Sequence, residues 1–286
     1  MIYLLIATLL WSFSFGLIKY NLAGIDPYFI SFARLFLSML LFIPFYRKIN
    51  FERKISFLLF VNGAVQFGFM YEAYVLSFNF LKAHEVALFT ILTPVYVTLY
   101  YDFLNKNLNI RFFLLAILSV FGAGIIVYSR LSSSNLWIGF LLVQFANICF
   151  AVGQINYKRI KTRIQEINDN AAMLIMYSGA TAVSIVFAAT MIRTVNLNFT
   201  FSQILVMLYL GIIASGIGFF LWNYGVTKVS SGILSTFNNL KIPFGITISL
   251  FFFNETVNLL RFLSGSLIII SAIILSNKSG EEHVKN

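Results

Sequence analysis

The chain has 286 residues, of which 59% are hydrophobic and only 10% charged, against about 25% charged in an ordinary soluble domain. With a mean hydropathy of +0.87 and 33 phenylalanines, so few charges cannot cover a water-soluble globule, and a soluble fold is excluded. The net charge of +10 does not mark a nucleic-acid binder, because Lys and Arg fall in short clusters between apolar runs, as in cytoplasmic loops of membrane proteins.

At about 20 residues per helical span, the length accommodates ten spans. Apolar runs fall near 2–20, 28–46, 55–78, 82–103, 110–128, 135–157, 171–192, 203–224, 230–253 and 258–276. The first begins at Ile2 with no basic segment before it and no convincing cleavage site, so it reads as a retained span. Ten-residue units of alternating polarity are absent, which argues against a barrel. The expectation is an all-α integral membrane protein of ten transmembrane helices.

In chain order, span one carries Trp11 and Ser12. Arg34 lies in the outer third of span two, as Glu72 does in span three, and Glu85 opens span four. Those three suit an outer ion-pair gate or a purely structural cluster, with Glu72 or Glu85 as a candidate carrier of a coupling proton. Tyr71 and Tyr74 in span three, with Trp11 and with Trp222 in span eight, can stack on a flat ligand or simply pack. Pro94 in span four and Pro243 in span nine each remove a backbone donor, freeing a carbonyl one turn earlier at Thr90 and Asn239. Such breaks at matching points of two spans point to a binding site. In span six Gln144 and Asn147 share a helix face, and Cys149, the lone cysteine, excludes a disulfide framework. Small residues in span five (Gly122, Gly124) and span eight (Gly211, Ala214, Ser215, Gly216, Gly218) allow close helix packing.

Lys241 is the most informative residue. It falls midway along span nine, where a charge costs about 2.5–3.5 kcal/mol on insertion scales, and no acid lies at the same depth. Its counter-ion is either a substrate carboxylate or nothing, in which case burial neutralises it or it snorkels. Asn238 shares its face and Asn239 adjoins it; both can bond a neutral polar group or a neighbouring helix.

Thirteen Lys and Arg lie on one side of the ten spans and five, including Lys19, Arg130 and Arg193, on the other. The positive-inside rule puts both termini in the cytoplasm. The halves also repeat. Phe13, Gly16, Ile18 and Tyr20 match Phe150, Gly153, Ile155 and Tyr157, and Pro94, Thr98, Asn105, Asn109 and Phe113 match Pro243, Thr247, Asn254, Asn258 and Phe262. Five spans per half is odd, so the halves, 1–130 and 135–276 with a cytoplasmic tail at 277–286, cross in opposite senses, as in many secondary transporters. No phosphate-binding loop, HExxH or GxSxG is present, so neither an enzyme nor a cofactor or metal is expected.

The run Leu10-Trp11-Ser12-Phe13-Ser14-Phe15 followed by Arg34 resembles the start of an EamA repeat of the drug/metabolite transporter superfamily. Leu88 through Pro94 to Tyr101-Asp102, Leu141 through Gln144 and Asn147 to Tyr157-Lys158-Arg159, and Ala214 through Gly218 to Trp222-Asn223-Tyr224-Gly225, then Asn238-Asn239 and Pro243, are similar to the biotin-transporting branch of that family. The resemblance covers nearly the whole chain except the tail. It implies two inverted five-helix EamA-type repeats that import biotin across a bacterial inner membrane by alternating access. The alternative is an importer or exporter of amino acids or other amphipathic carboxylates. One departure stands out: the family pattern carries His where this chain has Lys241. Biotin would offer its carboxylate to Lys241, its ureido ring to Asn238, Asn239, Gln144 or Asn147, and its bicycle to the aromatic side chains. The remaining partners expected are the lipid bilayer and a proton as coupling ion.

Overall fold

The computed structural model describes residues 1–22, 24–49, 51–128, 135–164, 167–192, 199–252 and 258–285. Arg130, Glu166, Arg193, Asn254 and Glu255 lie outside the described residues. The described residues form ten helical rods and no strand.

Helix α1 is Ile2–Asn21 and α2 is Pro27–Lys48, its last six residues 3-10. Helix α3 is Arg53–Ser77. Helix α4 comes in two halves, Ala83–Thr90 and Thr93–Asn105. Helices α5, α6 and α7 are Ile110–Val127, Leu136–Arg163 and Asp169–Met191, and α8 is Phe201–Val226. Helix α9 is again in two halves, Ser231–Phe237 and Lys241–Phe252, and α10 is Leu259–Lys285. Eight rods are long and apolar enough to cross a membrane; α1 adds an apolar stretch, Ile2–Ser14, and α9 is divided by its break. Helix α10 runs on through the segment expected as a tail.

Short polar residues start the helices by accepting backbone N–H groups that have no partner within the first turn. Asp26 accepts from Tyr28 and Phe29 at the head of α2, Asn109 from Phe112 in α5, Asn168 from Ala171 in α7 and Ser230 from Ile233 in α9. Thr200 and Gln203 form a reciprocal capping box on α8. Glu85 does the same work on α4, accepting the Lys82 backbone N–H at 2.9 Å.

Helix packing follows an approximate two-fold relation between the first five rods and the last five. Helix α2 packs on α7 and α5 on α10, each pair its own counterpart. The contact of α3 with α7 is matched by that of α8 with α2. That of α6 with α3 is matched by α1 with α8, and α6 with the second half of α4 by α1 with the second half of α9. The α5–α10 crossing is close because Gly122 and Gly265 face each other: a Cβ at Gly265 would sit 2.4 Å from the Gly122 carbonyl oxygen. Large apolar side chains such as Phe57, Phe103, Phe121, Leu141, Phe201 and Leu267 project outward, as lipid requires of spans whose backbone groups are satisfied internally.

Two irregularities recur in both halves. The breaks in α4 and α9 fall just before Pro94 and Pro243, each of which lies in the first turn of the second half-helix. Helices α3 and α8 each contain a π-helical stretch, Ala64–Phe69 and Tyr209–Ile217. The small residues of α8 thus lie mostly in a widened turn, where they still let α2 approach closely: a Cβ at Gly211 would sit 2.7 Å from Leu37, and one at Gly216 2.8 Å from Leu41.

Candidate functional site

A cavity of about 120 Å³ lies where the helix breaks meet the aromatic faces of the bundle. Helix α1 lends it Trp11, Ser14 and Ile18, α3 lends Met70, Tyr71 and Tyr74, and α4 lends Thr90 and Thr93 on either side of its break. Ala146, Asn147 and Phe150 come from α6, Phe219 from α8, Arg34 from α2 and Lys241 from α9. Among the described residues, two cations therefore face the cavity and no acid does.

Lys241 is the first residue of the second half of α9. It is half-buried, and it has no hydrogen bond or carboxylate partner among the described residues. Arg34 is held differently. It is 4% exposed and donates to the Tyr71 hydroxyl at 2.7 Å and to Ser215 Oγ at 3.1 and 3.2 Å. Its guanidinium also lies 4.6 Å from the Tyr71 ring centre, a favourable cation–π position. Tyr71 and Ser215 bond each other at 3.0 Å, so Arg34 ties α2 to both π-containing helices through neutral groups. Ser14 Oγ is buried and without a partner, a hydroxyl left over in the cavity wall.

The break in α4 frees three carbonyls, and side chains take all of them. Phe89 O accepts from Gln144 at 3.2 Å and Asn147 at 2.9 Å. Thr90 O accepts from Thr93, and Ile91 O from Asn239 at 3.0 Å. Asn238 bonds its own helix at Leu234 O. Of the four amides singled out from the sequence, Asn147 alone is in the cavity lining, while Gln144, Asn238 and Asn239 hold backbone beside it. Trp11 and Tyr71 line the cavity; Trp222 lies just behind, 1% exposed, with its ring 4.9 Å from Trp11. Pro94 and Pro243 mark the breaks, and Pro94 O accepts from Ser235 at 2.7 Å.

Arg34, Glu72 and Glu85 do not come together as an ion pair. Arg34 bonds Tyr71 and Ser215, Glu85 caps α4, and the Glu72 carboxylate is 3% exposed with no hydrogen bond to either oxygen. Ser14, Thr93, Phe150 and Phe219 were not foreseen as lining. Helical spacing holds the signal for two of them, since Ser14 and Phe150 follow Trp11 and Asn147 by three residues and so share their faces.

The chain matches the EamA-like transporter family over residues 1–128 and 137–277. It is 37% identical over 277 residues to the protein named biotin transporter in Salmonella typhimurium strain LT2, covering 96% of this chain and 92% of that one. To its Escherichia coli K12 namesake it is 36% identical over the same lengths. A Pseudomonas aeruginosa PAO1 protein named probable biotin transporter is 37% identical over 285 residues, 99% of each chain. A solved crystal structure superposes with a TM-score of 0.81 at 14% identity, covering 98% of this chain and 97% of that one, and shares the fold. Ten rods among the described residues, a two-fold packing pattern and a cavity at the helix breaks accord with these matches: the chain belongs to the EamA-like transporter family, and is a transporter rather than an enzyme.

Proposed function

We propose that this protein is a secondary transporter that imports biotin across the bacterial cytoplasmic membrane by alternating access, with both termini in the cytoplasm. The observation that carries the reading is Lys241, a cation at a helix break that faces a cavity with aromatic walls and, among the described residues, has no acid beside it. An amphipathic monocarboxylate supplies what that cavity lacks. The carboxylate binds Lys241, and Trp11, Tyr71, Phe150 and Phe219 pack on an apolar bicycle. Asn147 and the threonines of α4 offer hydrogen bonds to a neutral polar group. The relatives named biotin transporters, aligned over nearly their full length, support biotin over other carboxylates. Arg34 serves the cavity as a fixed cation, and Glu72, a buried carboxylate with no bond, is the residue to carry a coupling proton.

The test is uptake of labelled biotin at nanomolar concentration into biotin-requiring bacteria that lack their own transporter. Saturable uptake, blocked by unlabelled biotin and not by amino acids, is the expected result. No uptake with the chain present in the membrane would overturn the substrate; competition by amino acids would move the reading to that class. A reporter fused at the C-terminus is expected to report a cytoplasmic location.

A further inference from the structure

Below the cavity lies a layer of amides that the function above does not use. Gln66, Gln154 and Asn223 come from α3, α6 and α8, and each is 0% exposed. Each stands four residues, about 6 Å along its helix, from a residue in the cavity wall: Met70, Phe150 and Phe219 respectively. Because α3 runs opposite to α6 and α8, all three steps lead to the same level. An aromatic cluster separates the two levels. The Trp11 ring lies 4.8 Å from Phe219, 4.9 Å from Trp222 and 6.0 Å from Phe150.

The amides are bonded in an unusual way. Gln66 donates to Asn223 at 2.8 Å, and Asn223 donates back at 3.3 Å, closing a ring of two hydrogen bonds between the halves of the molecule. Gln154 accepts from the Trp222 indole at 2.9 Å, yet its own Nε2 is buried with no partner. A buried donor left unmade costs about 1–3 kcal/mol. Amides between spans commonly tie helices together; what sets this layer apart is that three fully buried amides meet at one level with one donor left unmade.

We propose that Gln66, Gln154 and Asn223 form a second substrate station, selective for a cyclic urea, which the substrate head enters when the Trp11–Phe219–Trp222 cluster parts. This rests on the reading of biotin as substrate. A cyclic urea has a carbonyl flanked by two N–H groups, so each of its edges matches the two-bond ring that Gln66 and Asn223 now make with each other. Insertion of the urea exchanges amide–amide bonds for amide–urea bonds, and the Gln154 Nε2 supplies a further donor. One pair of hydrogen bonds between the halves is thus released by the group it selects. A carboxylate without a urea breaks the ring and returns nothing, leaving buried polar groups unpaired, which is the strongest form of discrimination available to a site.

The test is the double substitution Gln66→Leu with Asn223→Leu in the full chain, which keeps side-chain bulk and removes both amides. Labelled-biotin binding by purified protein and labelled-biotin uptake by the transporter-deficient cells are measured beside the unsubstituted chain. Binding within about threefold of the original, with uptake reduced about tenfold or more, is expected from a station beyond the cavity. Uptake equal to or faster than the original would overturn the proposal, because a mere latch opens more readily once removed. Equal loss of binding and uptake would also overturn it. If the double variant does not reach the membrane, Asn223→Asp, nearly isosteric and lacking the donor, is judged by the same two measurements. Absence of uptake by the unsubstituted chain is a separate result, and defeats the substrate reading itself.

Discussion

The second half of α4 packs against the first half of α9, and polar side chains staple them. Ser235 donates to Pro94 O at 2.7 Å, Thr98 to Ser235 at 2.9 Å and Asn239 to Ile91 O at 3.0 Å. The two-fold relation makes the first half of α4 and the second half of α9 the counterparts of that pair. Among the described residues these are not a packed pair, and the cavity that Thr90 and Lys241 line lies there instead. Equivalent sequence, Pro for Pro and Thr98 for Thr247, thus sits in two arrangements within one molecule. The difference teaches that one sequence pattern sits sealed at one break and parted at the other; on the alternating-access reading proposed above, the opposite state exchanges them.

Removing the feature that distinguishes the parted end gives the largest expected effect. Lys241→Ala should raise the KM for biotin about 10- to 100-fold, the worth of a hydrogen bond to a charged group, read from the concentration dependence of uptake. Unchanged affinity would show that the open end does not bind the carboxylate. Gly232 lies in the sealed half of α9, where an added Cβ would sit 2.4 Å from the Phe112 ring. Gly232→Leu should therefore wedge the sealed end, and reduce uptake about tenfold by overpacking. In a background with Cys149 replaced, a cysteine at position 98 should then label faster with an aqueous maleimide.

Ser235→Ala removes the staple without adding bulk. A net hydrogen bond of about 0.5–1.5 kcal/mol predicts a rise of about two- to tenfold in labelling at position 98, with the protein still folded. No change would mean that packing alone holds the sealed end. The smallest effect is expected where only one hydrogen bond of the cavity wall is lost. Tyr71→Phe leaves Arg34 bound to Ser215 and removes one of its bonds, so the KM should rise about threefold. A larger rise would show that Arg34 itself meets the substrate.

Much of this architecture is legible in the sequence, because its signals are local. Apolar length places the spans, and proline at 94 and 243 forces breaks wherever the chain is helical. Lys241 is legible as a cavity residue because a lone charge at that depth has few other homes. The role of the amides is not legible in the same way. Sequence shows that Gln144 and Asn239 need partners, but the carbonyls of Phe89 and Ile91 that take them come from another helix. The Gln66–Asn223 ring is hidden for the same reason, being a pairing 157 residues apart. The π stretches carry no residue signature, since their cause is a mismatch of helix phase rather than a breaker.

That phase has a consequence of its own. Each residue advances a regular helix by about 100°, and a π stretch absorbs residues without the usual turn. Met70, Tyr71 and Tyr74 follow the stretch in α3, and Phe219 and Trp222 follow the one in α8. The widened turns act as a vernier that aims these side chains inward while the preceding faces stay docked on α7 and α2. Substitution can retune what the cavity walls are made of. Shortening either helix by a single residue would swing the aromatic face by roughly a quarter turn, so the interior here is as sensitive to counting residues as to choosing them.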